Sequence, residues 1–390
     1  MNDPLRLARR MGGIAPFHVM DLLARAQQLE AEGRDIVHME VGESDFDTPS
    51  AVVEAGRAAL AEGRTRYTPA LGIPALREAI SRHYRDYYGA DVPPERIAVT
   101  PGASGALQLA LGVLLDPGQK VLMADPGYPC NRHFVRFCDG EPVSVPAGVE
   151  SDYQLHAAHV EEHWDSATRA AMVATPANPT GTLLDRAQLV ALAEATAARG
   201  GALLVDEIYH GLVYGVEEVT AATLADNVIV INSFSKYFGM TGWRLGWMVV
   251  PPGLLRAVER LAQNIYLAPS TPAQYAALAA FGPEVLAELE ERRTEFARRR
   301  DFLLPALREL GFSIPSTPNG AFYLYADSRR FGDDSQALAR RFLEEAGVAV
   351  APGIDFGAHR AADHLRFAYT TSVSRLEEGV ARIARLLGQG

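Results

Sequence analysis

The chain has 390 residues, 48% hydrophobic and 22% charged, an ordinary globular composition whose length points to two domains. A net charge of −11 without any basic block argues against a nucleic-acid or anionic-membrane partner, and no uninterrupted apolar run is long enough to span a bilayer. Only Cys130 and Cys138 are present, so a disulfide framework is not expected and a reducing, cytoplasmic setting fits.

Residues 1–10 carry arginines with no apolar stretch behind them, so no signal peptide is expected. Leu22, Leu23, Ala26 and Leu29 recur at helical spacing, which predicts a helix over 21–32 ended by Gly33. A short strand at 36–41 runs into Gly42-Glu43-Ser44-Asp45-Phe46-Asp47-Thr48-Pro49, a loop in which a glycine lets backbone approach a ligand. Helices are expected at 50–61 and 75–88, with Tyr67 and Gly72 in the segment between them.

A strand at 97–100 leads at once into Pro101-Gly102-Ala103-Ser104-Gly105 and a helix running to 115. Strand, small-residue turn and helix N-terminus together favour an anion, through free N–H groups and the helix dipole. An ordinary strand-to-helix turn also uses small residues, so this segment alone does not decide between the two readings. Further strands are expected at 121–124, 170–174, 203–205, 228–231 and 244–250, with a helix at 185–199. From 284 to 308 the chain reads as a charged helix broken at Pro305. It links to a second domain with strands at 322–325, 348–351 and 365–369 and helices at 334–346 and 374–387.

Short apolar strands alternating with helices predict an α/β fold with a mostly parallel sheet flanked by helices. Ligands in such sheets bind beyond the carboxyl ends of the strands. Ser104, Tyr128, Asn178, Asp206, Tyr209 and Lys236 all fall there. Lys236 and Lys120 are the only lysines among 37 basic residues. Arginine cannot replace lysine where a neutral primary amine must attack a carbonyl, because a guanidinium stays protonated. Lys236 is therefore the candidate for Schiff-base chemistry.

These residues together suit pyridoxal phosphate, which needs an amine, a carboxylate for its ring nitrogen, a phosphate cradle and an aromatic against its ring. Lys236 supplies the amine and Asp206 the carboxylate. Tyr209 and Asn178 can donate to the phenolic oxygen. Ala103, Ser104, Ser233 and Arg244 can hold the phosphate, where the arginine fork suits a bidentate contact. Tyr128 can stack on the ring.

The motifs Gly42-Glu43-Ser44-Asp45-Phe46, Gly102-Ala103-Ser104-Gly105-Ala106-Leu107, Asn178-Pro179-Thr180-Gly181, Asp206-Glu207-Ile208-Tyr209 and Ser233-Phe234-Ser235-Lys236 occur in that order. With Tyr67, Gly72, Gly242-Trp243-Arg244 and Leu365-Arg366-Phe367, they make the chain resemble the fold-type I aminotransferases of class I/II, the aspartate aminotransferase group. The resemblance covers nearly the whole length. It implies a large cofactor-binding domain (49–285) and a smaller α+β domain formed by both chain ends (1–48 and 286–390).

The resemblance also implies transfer of an amino group between an L-amino acid and a 2-oxo acid by ping-pong kinetics. Lys236 is then the Schiff-base and proton-transfer residue. By the same resemblance Arg366 would clamp the substrate α-carboxylate; its place between apolar residues, where an unpaired charge is costly, argues against a surface arginine. Gly42 would touch that carboxylate through its backbone. Tyr67 would reach the phosphate of the neighbouring subunit in a homodimer with shared active sites.

Two departures stand out. Ser44 replaces the proline many relatives carry, which should alter only that loop. Ser104 stands where some aspartate-specific relatives have a lysine that reads the distal carboxylate, so a neutral or broad amino donor is expected. Ile14, Phe17 and Asn264-Ile265-Tyr266 are candidate pocket walls.

A pyridoxal-phosphate-dependent C–S β-lyase shares the fold and the early chemistry and is the alternative. A ligand-sensing domain of a transcription factor would need a DNA-binding domain before Gly42. A dinucleotide oxidoreductase is disfavoured because Gly102-Ala103-Ser104-Gly105 has the wrong glycine spacing.

Overall fold

The computed structural model describes residues 5 and 7–388; residues 1–4, 6, 389 and 390 lie outside the described residues, and with them part of the arginine-bearing N-terminal stretch. Eleven strands build two sheets among the described residues: β1 (Val37–Met39), β2 (Ile97–Thr100), β3 (Lys120–Asp125), β4 (Glu141–Pro146), β5 (Thr168–Ala174), β6 (Ala202–Asp206), β7 (Val228–Ser233), β8 (Gly246–Val249), β9 (Tyr323–Asp327), β10 (Val348–Pro352) and β11 (His364–Ala368).

The larger sheet has seven strands in the order β2-β8-β7-β6-β5-β3-β4, and only β8 runs against its neighbours. The middles of its central strands are apolar on both sides because helices cover both faces. Alternate residues show it: Leu203, Val205, Val228 and Val230 join one hydrophobic cluster, while Leu204, Ile229 and Ile231 join the other.

The smaller sheet, in the order β1-β10-β11-β9, takes β1 from near the start of the chain and the rest from its end. β1 runs parallel to β10, and β11 is antiparallel to both β10 and β9. The fold is thus the expected α/β architecture, a large mostly parallel sheet beside a smaller α+β unit.

The structure differs from the sequence reading in several places, and four of them have a plain physical reason or shape. The helix Pro283–Glu309 continues through Pro305 instead of breaking there. A proline inside a helix forfeits one hydrogen bond, but Leu303, Leu304 and Leu307 around it are all buried and hold the helix in place. β4 was not anticipated; it carries Pro142 and Pro146 and lies at the sheet edge, where proline is tolerated. The first long helix starts at His18, three residues early, because the carboxylate of Asp355 accepts from the backbone N–H groups of His18 and Val19. The expected helix at 334–346 is α-helical only over Ser335–Arg341 and then widens to a π-turn over Phe342–Ala346.

Candidate active site

The candidate residues converge at the carboxyl edge of the large sheet, where it meets the small one. Asp206 ends β6 and Ser233 ends β7, with Lys236 three residues on. Asn178 follows β5, Tyr128 follows β3, and the helix Gly102–Leu114 follows β2. Arg366 comes from the other sheet, at the centre of β11, in register with Tyr325 and Ala351.

Lys236 donates from Nζ to the carbonyl oxygen of Gly42 at 2.7 Å. Its amine lies 5.8 Å from the ring centres of both Tyr209 and Phe322. Burial lowers its pKa from the ordinary lysine value to about 8; Glu43 and Asp206 oppose the shift, and Arg366 and Arg244 add to it. A neutral amine is thereby accessible near physiological pH.

Asp206 is buried, and the N–H of Ile208 donates to its Oδ1 at 3.1 Å. Burial raises its pKa to about 7, against that N–H and the charge on Lys236. Such a carboxylate ionises fully only when a cation comes against it.

The hydroxyls of Tyr209 and Tyr323 lie 2.8 Å apart, and burial pushes both phenols upward, so both remain neutral. Tyr128 is also shifted upward by burial, with Cys130, Tyr323 and Asp206 as further causes. Tyr323 was not singled out from sequence. A Cβ placed on Gly42 would lie 1.8 Å from the Tyr323 hydroxyl, so the glycine is required for the close approach of that backbone.

Arg366 is 2% exposed. Its Nη1 donates to Asn178 Oδ1 at 2.9 Å and its Nη2 to the carbonyl of Glu40 at 2.5 Å. Its guanidinium stacks over Tyr323 at 4.3 Å and Phe356 at 4.7 Å. Nε is buried without a partner, and no carboxylate among the described residues forms an ion pair with this group. A buried, stacked guanidinium with no counter-ion is suited to an incoming carboxylate. Phe17 packs in the same cluster as Phe356, Tyr325 and Ala351 and so backs this arginine. Ile265, by contrast, is half exposed.

The anion cradle forms at the first turn of the helix Gly102–Leu114. Arg244, in the left-handed region at φ 55°, lies so close that a Cβ on Gly102 would meet its Nη2 at 2.8 Å. A Cβ on Gly246 would strike the backbone of Gly102 and Ala103 at 2.8 and 2.9 Å. Ser104 sits in this turn. Ser233 Oγ donates to Ser235 Oγ at 2.9 Å and accepts the N–H of Ser235 at 3.0 Å, which shapes the turn leading to Lys236. An exposed arginine beside free helix N–H groups suits a phosphate.

The loop after β1 is fixed from several sides. Arg299 grips Asp45 with both Nη groups, at 2.7 and 3.0 Å. Ser44, in place of the usual proline, accepts the N–H of Phe46 at 3.2 Å, a local turn as expected. Tyr67 is 82% exposed and stands apart from the other candidates, although Gln274 bonds to the flanking Thr68 and Ile73.

These features fit pyridoxal phosphate: a partly buried amine of lowered pKa, a buried carboxylate in want of a cation, and a glycine-lined cradle under an arginine. Sequence reasoning reached each of these groups. It missed Tyr323, Phe356 and the Glu40 carbonyl, for which the only local signal was an aromatic pair, Phe322-Tyr323, in an expected strand.

The family model described as "Aminotransferase class I and II" matches residues 34–383. A valine–pyruvate aminotransferase of Mycobacterium tuberculosis is 40% identical, and the match covers 98% of each chain. An aspartate/prephenate aminotransferase of Thermus thermophilus is 36% identical over 98% of this chain and 99% of its own. The solved structure of the Thermus thermophilus aspartate aminotransferase with maleate superposes with a TM-score of 0.92 at 36% identity, covering 98% of this chain and 100% of the other.

Proposed function

Because this chain belongs to the class I and II aminotransferases, pyridoxal-phosphate-dependent enzymes of fold type I, we propose that it moves an amino group between a neutral L-amino acid and a 2-oxo acid, with Lys236 as the reacting amine. The observation that carries this reading is the pairing of two cations of different kind, a partly buried lysine and a fully buried arginine. Lys236 has a pKa lowered to about 8 and its amine is held only by a backbone carbonyl, while the Arg366 guanidinium leaves its Nε without a partner.

In this reading Lys236 Nζ would hold the cofactor covalently and Asp206 would pair with its ring nitrogen. Tyr128 would stack against the ring, and Tyr209 and Asn178 would donate to the phenolic oxygen. The N–H groups of Ala103 and Ser104, the Ser104 hydroxyl, Ser233 and Arg244 hold the phosphate. The bound cofactor supplies a carbonyl for the substrate amine and an electron sink for the electrons left at Cα.

The protein's own part is positioning and proton transfer. Arg366, with Asn178 beside it, binds the substrate carboxylate through its remaining N–H groups. The backbone at Gly42 closes on the same carboxylate. Lys236 Nζ, released from its covalent link when the substrate amine takes its place, would be neutral above about pH 8 and take the proton from Cα. The stacked rings of Tyr323 and Phe356 keep Arg366 from turning and exclude water from it.

The donor side is read from Ser104, where no ammonium is available for a distal carboxylate, and from the valine–pyruvate relative. A homodimer with shared sites is part of the proposal, supported by the exposure of Tyr67 on a pinned loop. So is the division into residues 49–285 and a smaller unit from both chain ends. No helix among the described residues is long and apolar enough to cross a membrane.

The test is a panel of amino donors and 2-oxo acids on the purified enzyme, read as the new amino acid formed. Transfer to a 2-oxo acid is the expected result. Release of thiol and pyruvate from cystathionine without any transfer would replace this reading with the β-lyase.

A further inference from the structure

The clamp Arg366 is anchored to a carbonyl, that of Glu40, and Glu40 is itself unusual. Its side chain is fully buried, with Oε1 2.7 Å from His38 Nδ1 and Oε2 without a partner. His38 is partly exposed, and its other nitrogen lies 3.1 Å from Glu30 Oε1 on the helix His18–Ala31. Two residues further on, the Gly42 carbonyl receives the amine of Lys236. Glu40 and Gly42 thus present their carbonyls to the two functional cations, and Val41 between them accepts from Thr370.

We infer that His38 and Glu40 form a positioning pair that holds this backbone segment, and through it the guanidinium of Arg366, in the geometry that receives the substrate carboxylate. The inference rests on the reading of Arg366 as the carboxylate clamp.

A buried carboxylate held on one oxygen keeps its place only while its partner stays charged or at least donates. His38 is set up to stay charged. Its pKa is raised to about 9, chiefly by its bond to Glu40, with Glu30 adding to the effect and partial burial opposing it. The charged groups that face it are Glu30 from the adjoining helix and Glu40 from its own segment. β10 contributes Ala349 opposite it and no charge. When His38 is lost, the Glu40 side chain has no partner, and its most direct relief is a shift of residues 40–42 toward water. That shift moves the carbonyl under Arg366 Nη2. Neither His38 nor Glu40 touches substrate, so the effect belongs in binding of the carboxylate.

The experiment uses the holoenzyme and two readouts, steady-state kinetics and competitive inhibition by propionate, an unreactive carboxylate. In His38→Leu, KM for amino and oxo substrates and the inhibition constant of propionate should rise together, by about tenfold. The turnover number should stay within about twofold. His38→Gln, which can still donate to Glu40, should recover most of the loss. If His38→Leu does not fold, His38→Leu/Glu40→Leu removes both polar partners and should fold while keeping weak propionate binding.

Raising the pH through about 9 should weaken propionate binding to the native enzyme more than to His38→Gln. Whatever titrates at Lys236 is common to both proteins, so the difference belongs to His38. Unchanged propionate binding in His38→Leu, or a fall in turnover with KM unaffected, overturns the inference. Arg366→Lys is the control. If it too binds propionate normally, the clamp reading itself is wrong; if it alone binds weakly, only the His38–Glu40 pair is dismissed.

Discussion

The Tyr323 hydroxyl occupies the space where a side chain on Gly42 would begin, with a Cβ there only 1.8 Å away. Tyr323 is fully buried, stacked under Arg366 and bonded to Tyr209, so it has no room to yield. Gly42→Ala should therefore lower kcat/KM by at least about tenfold, as expected for one methyl forced into a filled site. Tyr323→Phe on that background removes the closest contact but leaves a ring carbon at 2.8 Å, so it should rescue only in part. Full activity in Gly42→Ala alone would show that this backbone is not held as described.

Lys236 is the one amine at the site, and its chemistry requires a neutral nitrogen. Lys236→Arg retains the positive charge but cannot deprotonate. Both Lys236→Arg and Lys236→Ala should lose at least about 10⁴-fold in turnover, the upper range for a positioned proton-transfer group. Single-turnover transfer from a donor to a 2-oxo acid is the measurement. Turnover near the native rate in either variant removes Lys236 from the mechanism.

Asp206 links the site to the pH dependence of stability. Its folded pKa, about 7, lies above the ordinary aspartate value of 3.8, so the folded apoprotein holds a proton that the unfolded chain gives up. That contribution is fully present below pH 3.8 and is lost as pH rises to about 7. Glu207 and Glu218, both raised to about 8 by burial, act in the same direction, so the comparison must be with a variant. Apoprotein carrying Asp206→Asn should lose less stability between pH 4 and 7 than the native apoprotein, by about 1.4 kcal/mol for each pKa unit removed. Denaturant midpoints across that range give the answer, and parallel curves would refute it. In the holoenzyme the same variant should bind cofactor yet lose most of its rate.

Arg366 offers a rigid planar fork with both Nη groups already engaged on the protein side, by Asn178 and by the Glu40 carbonyl. A lysine cannot reproduce that fork. Arg366→Lys should raise KM for donor and acceptor by roughly 10- to 100-fold, the range for losing a charge-assisted bond. Asn178→Ala should raise it less. Equal KM values in the native enzyme and Arg366→Lys would place the carboxylate elsewhere.

Ser104 bears on substrate choice. Neutral donors such as valine and alanine should show kcat/KM at least equal to that of aspartate. Ser104→Lys should shift the ratio toward aspartate by about tenfold, one new charge-assisted bond to a distal carboxylate. A native enzyme that strongly prefers aspartate would contradict the neutral-donor reading.

Much of this protein was legible without coordinates because its signals are local. Apolar strands buried on both faces, helices between them and turn residues at their ends follow from short-range pattern. That pattern was enough to locate Asp206, Lys236 and the helix turn at Gly102 on one sheet edge. The scarcity of lysine isolated Lys236 for a chemical reason that holds whatever the fold.

Other features depend on residues distant in sequence meeting in space. The carbonyls that receive Lys236 and Arg366 belong to Gly42 and Glu40, 194 and 326 positions away. The lowered pKa of Lys236 and the raised one of Asp206 come from burial that neither residue's neighbours announce. The start of the first long helix is set by Asp355, and the continuity of the helix through Pro305 by packing around it. Residue type and period establish which chemical groups the chain carries and on which strand ends they stand. Which groups touch, how dry they are and which keep an open valence for substrate follows from packing alone, because desolvation and register are properties of the folded chain.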